Sequence, residues 1–460
     1  MLNKNLLILF AFMICIVMTA WTHGKSLNRV VSERLIAEID SSWIPSSFTV
    51  SPDSRRVAFV VQAGDKKSVV IDNKEEKQYD NIDASSLVFS PDSRQIAYIA
   101  LVSFKIFVVI AGKEDKRYDA IASGSILLSP DSKRLVYVVT QGNKQFVVTD
   151  GKEDKQYDGT AKGSIVFSPD SKQLAYVARL DDKWVVVLDG KEEKQYDGIV
   201  NVQPLFSPDS RRFVYTARTG DKQFVVLDGK EKKKYDTIGT LTFSSDSKKV
   251  AYTAQEDNKW FVVVDGEEGN QYDGIGESTP IFSPDSKRMA FAASIGNKWL
   301  AVVDGIEGKQ YDGVSAPIFS PDSKQVVYIA GMRDKSFVVI DGKEEKHYDR
   351  ICGGCLIFSL DSRKVNYVAQ MGNKWLAIID RVEGGLYDAI PGGISINSDD
   401  KHLSYYALVG DRWVVVVDGE AGKQYDAFVK GGKIVFDSPN NFHYLIWKGY
   451  DVYIVEEKLD

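Results

Sequence analysis

The chain has 460 residues, with 64 acidic side chains against 58 Lys and Arg for a net charge of −6, and with 44% hydrophobic and 11% aromatic content. That apolar content is enough for a packed core and excludes a disordered chain. Acids and bases are interleaved with no basic surplus, which excludes a nucleic-acid partner on electrostatic grounds.

The first residues differ from the rest. Lys4 gives a positive start, and Leu6 to Ala20 is apolar apart from Thr19. A run of that length is a secretory h-region and falls short of the ~20 residues a spanning helix needs. Residues 1–24 are therefore expected to be an export signal, cleaved after Ala20 or Gly24. The alternative is an uncleaved anchor formed by residues 6–20. Phe12-Met13-Ile14 before Cys15 does not read as a small-residue lipobox. The expected location is the periplasm or the exterior, with membrane contact only through an uncleaved N-terminal segment.

Residues 25–47 are a lead-in, and 48–460 are a repeat array. The motif Phe-Ser-Pro-Asp-Ser-Lys/Arg is intact at Phe89 to Arg94, Phe167 to Lys172, Phe206 to Arg211, Phe282 to Lys287 and Phe319 to Lys324. The turn aspartates Asp53, Asp92, Asp131, Asp170, Asp209, Asp246, Asp285, Asp322, Asp361 and Asp399 are spaced 37 to 39 residues apart, and an eleventh unit begins at Gly432. Repeats at this period override the length prior of about three domains and are characteristic of four-stranded blades.

In the unit from Pro280 to Gly313, Pro280 to Ser283 reads as a first strand and Ser283-Pro284-Asp285-Ser286 as a type I turn, since proline presets the second turn position and Asp or Ser bonds local amides. Arg288 to Ser294 is the second strand, and Gly296-Asn297 is a two-residue hairpin signal. Trp299 to Asp304 is the third strand, and Gln310 to Gly313 is the fourth. Third strands such as Trp184 to Leu188, Phe261 to Val264 and Trp413 to Val417 are continuously apolar. Both faces of each sheet must then be covered, as when blades stack radially. The fold class is all-β, a β-propeller of about eleven four-stranded antiparallel blades in a single large ring or two joined rings. The last unit lacks a Tyr-Asp strand, and Leu35 to Ile39 is expected to supply it and to hide the open edge.

Phe-Ser-Pro-Asp-Ser-Lys-x-x-Ala-Tyr resembles the WD-like β-propeller repeat of the periplasmic protein TolB and of prolyl oligopeptidase-type peptidases. The resemblance covers most of the chain and implies a fold rather than an activity. The α/β domain of the first and the hydrolase domain of the second are not expected here, because Lys25 to Ser47 is too short for either.

Comparison among units separates framework from decoration. The Asp of Tyr-Asp recurs at Asp158, Asp197, Asp236, Asp273, Asp312, Asp349, Asp388 and Asp426. Such repetition implies turn bonding and strand-end capping, not acid/base work. A base follows the turn between second and third strands, as at Lys183, Lys259, Lys298, Lys374 and Arg412, and a tryptophan follows that base at Trp184, Trp260, Trp299, Trp375 and Trp413. Other units place Lys67, Gln145, Gln223 or Ser336 there, so the position cannot be fully buried. These ten residues are the candidate binding set, since exposed aromatics beside cations are good contact anchors. Packing at the blade edge is the structural alternative.

Cys352 and Cys355 are the two cysteines outside the export segment. An exported pair at this spacing reads as a local disulfide or two free thiols, ahead of a redox motif or half a zinc site. The loops Asp72 to Tyr79, Asp189 to Tyr196 and Asp341 to Tyr348 mix lysines with their acids, which argues against calcium. No metal or cofactor is expected. His23, His347, His402 and His443 are scattered, and no nucleophile elbow or phosphate loop occurs. The reading is a noncatalytic interaction platform for a protein partner in the cell envelope, with no catalytic residue assigned. Two alternatives stay open, a carbohydrate-binding propeller and a hydrolase or lyase with an axial site, for which Asn366 and Asn397 would be the departures to watch. Further departures cluster from Cys352 to Asp400, where Leu360 replaces the turn proline and Gly392-Gly393 loosens a loop.

Overall fold

The computed structural model describes residues 28–460, with the backbone alone at Val202. The expected export segment lies outside the described residues. Among those residues the regular structure is strand, apart from a 3-10 turn at Pro45–Ser47, and no helix is long and apolar enough to cross a membrane.

Eleven separate antiparallel sheets follow one another along the chain. The seventh, blade 7, has its first strand in two pieces at Gly274–Ile275 and Ile281–Phe282, then Met289–Ile295, Lys298–Val303 and Ile306–Glu307. Its fourth strand resumes at Tyr311, which bridges to Trp299. The chain thus leaves the sheet and returns between Glu307 and Tyr311, so the fourth strand starts earlier than Gln310.

Both faces of each sheet are dry. In blade 2, Ile96, Tyr98 and Ala100 pack toward blade 1, and Ala97 and Ile99 pack toward blade 3. The alternation of side chains along a strand thus feeds two cores, which is why the apolar runs are continuous. The last core joins Ile36, Val429, Leu445 and Ile454 of blade 11 to Val57 and Phe59 of blade 1. Each blade packs only on its neighbours in order, and the eleventh packs on the first. The chain is an eleven-bladed β-propeller in one ring.

Closure uses the N-terminal strand. Arg29–Ala37 pairs antiparallel with Asp451–Leu459 and completes blade 11. The strand begins six residues before Leu35, the expected start. Arg29 is the reason it reaches that far. Its Nε donates to Glu457 at 2.6 Å, and its Nη1 donates to the carbonyl of Val415 in blade 10. The Tyr444 hydroxyl also donates to Glu457. Gly422 has no side chain because a Cβ there would lie 2.6 Å from the Arg29 guanidinium carbon.

Repeated polar residues tie the blades together. In each Ser-Pro-Asp turn the serine hydroxyl bonds the aspartate, as Ser90 does to Asp92, and accepts the Gln95 N–H. The Asp92 N–H in turn donates to Ser132 of the next blade at 3.0 Å. A second ring of staples joins the fourth strands. Lys155 donates to Glu192 of the following blade at 2.7 Å, and Tyr196 and Lys194 share Glu231 in the same way. At the seam Glu33 of the N-terminal strand takes this place, accepting from Lys423 and Tyr425 of blade 10.

Candidate functional site

The loops of the ring fall on two faces. One carries the Ser-Pro-Asp and Asp-Gly turns. The other carries the hairpins between second and third strands and the loops that lead from one blade to the next. Tyr-Asp aspartates unite the second group. Asp273 accepts from Lys259 of its preceding hairpin at 2.6 Å and from the Gly296 N–H of the next hairpin at 2.6 Å. Asp388 does the same with Lys374 and with Gly410 N–H.

This arrangement changes the meaning of the expected basic ring. Lys183 pairs with Asp197, Lys259 with Asp273, Lys298 with Asp312, Lys374 with Asp388 and Arg412 with Asp426. Each base faces a carboxylate of its own blade, so the ring carries little net positive field. Hydrogen bonds from the lysine and from the backbone N–H hold these carboxyls below the usual range, as at Asp197, Asp273 and Asp388.

All five tryptophans are half-buried. Trp260 lies over Gly239, its ring carbon 3.5 Å from where a Cβ would be, and Trp299 lies in the same way over Gly276 at 3.8 Å. Trp184 packs against the core between blades 4 and 5, and Trp375 against the core between blades 9 and 10. In blades 3 and 5, where the tryptophan is replaced by Gln, the amide fills the same gap: Gln145 accepts the Thr160 N–H and Gln223 the Ile238 N–H. Trp413 differs, because its edge meets Phe428 at 6.0 Å beside an open cleft.

That cleft, about 740 Å³ in volume, lies between blades 10 and 11 at the first-strand edge of the two sheets, beside the loops that interrupt those strands. An equivalent cleft of about 450 Å³ lies between blades 3 and 4, and local departures in the repeat accompany the larger volume and the aromatic walls of this one. In blade 3 the entry loop Ala122–Ser125 ends in a serine whose hydroxyl accepts the Val138 N–H. Blade 10 has only Pro391, Gly392 and Gly393 between Ile390 and Ile394. Blade 11 has Gly432 where the loop closes on the Val429 carbonyl, as Ser125 closes on Ala122. The closing hydroxyl is therefore missing on both sides of this interface, as it is between blades 9 and 10, where Cys355 holds the position. Aromatic rings line the gap instead. Tyr406 stands where blade 3 has Val138, and Phe428 stands where it has Ile121. Their centroids are 4.0 Å apart. The Tyr406 hydroxyl is buried without a partner among the described residues, and burial raises its pKa above the ordinary tyrosine value. Lys430 and Lys433 are exposed on the cleft's rim.

Cys352 and Cys355 form a disulfide with a Cα–Cα distance of 5.3 Å. It closes the entry loop of blade 9, where Cys355 N–H bonds the Cys352 carbonyl as Ser125 bonds Ala122. The next loop rests on it, since a Cβ at Gly393 would be 3.7 Å from Cys355 Cα.

Asn366 and Asn397 do not form an axial constellation. Asn397 replaces the turn serine: its Oδ1 accepts the His402 N–H and its Nδ2 donates to the Pro439 carbonyl of blade 11. Asn366 accepts the Asp380 N–H within its own sheet. His402 bonds Asp418 at 2.6 Å, where other blades place an arginine such as Arg288 on Asp304. Among the described residues no group of three His, Cys, Asp or Glu is placed to hold a metal ion.

Two exposed rings escaped the sequence reading. Phe104 and Tyr450, 92% and 80% exposed, sit on the second-to-third hairpins of blades 2 and 11. Both belong to the hairpin face.

No protein-family model matches the chain, and no curated protein matches it. Among solved structures, a eukaryotic initiation factor is 12% identical over 72% of this chain and 96% of its own, with a TM-score of 0.41. TolB from Acinetobacter baumannii is 15% identical over 61% and 80%, with a TM-score of 0.26. The β-propeller domain of the Trilobed protease from Pyrococcus furiosus is 16% identical over 57% and 96%, with a TM-score of 0.27. The strand pairing carries the fold, and nothing about activity passes from these structures to this chain.

Proposed function

We propose that this protein is an exported, noncatalytic propeller whose hairpin face holds a protein partner in the cell envelope. The observation that supports this reading is the contrast around the ring. Recurring polar groups are consumed in bonds within and between blades, whereas the interface of blades 10 and 11 opens into an aromatic cleft. A propeller that spends its repeated acids and bases on itself offers a rigid surface, and its departures from repetition are where specificity is carried. Trp184, Trp260, Trp299 and Trp375 supply edge contacts around the face, and Trp413 supplies the wall of the cleft. The paired bases Lys183, Lys259, Lys298, Lys374 and Arg412 set its local charge pattern and do not attract an anion as a ring.

The direct test is capture of partners from an envelope extract by the purified chain and by a variant with the five tryptophans changed to alanine. The expected result is a partner retained by the parent and lost from the variant. Equal retention by both would place the contact on another face.

A further inference from the structure

We infer that the cleft between blades 10 and 11 receives an aromatic side chain of a partner polypeptide, flanked in that polypeptide by a carboxylate. This deepens the platform reading and rests on it. Four observations lead to the occupant. First, a volume of about 740 Å³ lies within the roughly 300–1,000 Å³ of ligand sites, enough for a large side chain with part of its backbone. Second, the walls are rings and aliphatic side chains: Tyr406, Trp413 and Phe428 with Val429 and Ile434. A sugar needs a dense set of convergent hydrogen-bonding groups, whereas an apolar pocket with aromatic walls is the form taken by a hot-spot socket for Trp, Tyr or Phe.

Third, the rim carries two positive charges, one at Lys430, whose equivalent Lys162 lines the cleft between blades 3 and 4, and a second at Lys433. The hairpin bases are matched by aspartates, but neither Lys430 nor Lys433 joins an ion pair among the described residues. Two uncompensated ammonium groups beside an apolar socket complement a carboxylate next to the inserted ring and disfavour a basic neighbour. Fourth, Gly392, Gly393 and Gly431 have φ of 80°, 81° and 89°. At these three positions no side chain stands over the opening, so a peptide backbone can approach closely. The disulfide loop behind Gly393 holds one of these walls in position.

The test uses the full chain and a random heptapeptide phage library as the probe. Peptides enriched on the parent are then synthesised and titrated calorimetrically against the parent, against Lys430→Glu with Lys433→Glu, and against Phe428→Ala. The two lysines are exposed loop residues, so the charge variant keeps the fold, which circular dichroism verifies. The expected outcome is a consensus with Trp, Tyr or Phe beside Asp or Glu, bound at least about tenfold more weakly by the charge variant and lost with Phe428→Ala. Enrichment without that pairing, an unchanged affinity in the charge variant, or absence of any enrichment overturns the inference. The envelope partner captured above distinguishes the two levels. If the parent captures a partner that the charge variant holds equally well, the platform reading stands and the cleft assignment fails. If the parent captures none, the platform reading itself fails.

Discussion

Removal of the Arg29 side chain should open the ring at its seam. The Glu457 side chain is fully enclosed, at 0% exposure, and Arg29 is 9% exposed. Arg29→Ala leaves that carboxylate with the Tyr444 hydroxyl and no cation. Breaking a buried pair by removing one partner costs about 3–5 kcal/mol, whereas replacing both by apolar or neutral groups of similar size is near neutral. Arg29 also donates across to the Val415 carbonyl, so part of the loss falls on the contact between blades 10 and 11. The assay is urea denaturation followed by circular dichroism, with amide exchange to locate the loss. Arg29→Ala should be less stable by about 3–5 kcal/mol and should exchange faster in Asp451–Leu459, while Arg29→Met with Glu457→Gln should recover most of the difference. A loss under about 1 kcal/mol in the single variant, or no recovery in the double variant, would refute the view that this pair fastens the ring.

Deletion of residues before Ser41 should have the larger effect, since it exposes the unpaired edge of Asp451–Leu459. A lowered melting temperature with concentration-dependent aggregation is expected in thermal scans. The turn aspartates predict the acid response. Serine hydroxyls, then backbone N–H groups, bring Asp170 and Asp322 down to about 2, and shift Asp92, Asp131 and Asp285 in the same direction. A carboxyl lowered in the folded state contributes stability that is present above its unfolded value of about 3.9 and is lost as pH falls through the folded value. Melting temperature should therefore be flat above about pH 5 and fall steeply between about pH 4 and 2. The disulfide should contribute little to global stability. Its loop is so short that the chain-entropy contribution is at most about 2 kcal/mol. Cys352→Ala with Cys355→Ser should melt within that margin, because serine occupies the same loop position in blade 3. The same variant should bind cleft peptides more weakly, as read by calorimetry, because Gly393 loses its backing.

The blades could be read from residue spacing because each unit repeats its own turn and strand signals. Ring number could not. It depends on the small rotation between blades, which no single residue encodes, and on a seam formed by residues more than 400 apart, as Arg29 and Glu457 are. The missing fourth strand of blade 11 pointed to the seam, but the strand extends back to Arg29 because a buried carboxylate holds that end. The hairpin bases and the Tyr-Asp acids were each visible. Their pairing was also visible, in a constant separation of 14 residues from Lys66 to Asp80 and from Lys374 to Asp388, which spans one third strand and its return. The cleft was legible only in part. Gly392-Gly393 marked one wall, but the aromatic replacements at Tyr406 and Phe428 gain their meaning from an interface between consecutive units. Comparing every position across the eleven repeats would have found both, since blade 3 has Val138 and Ile121 at these places.

The most direct test of the account is hydrogen exchange of the full chain with and without its captured partner. Protection should concentrate in residues 388–396 and 426–436, with a weaker footprint at the hairpins bearing Trp375, Trp413 and Tyr450. Protection confined to the Ser-Pro-Asp turns on the opposite face, or spread evenly around all eleven blades, would contradict it.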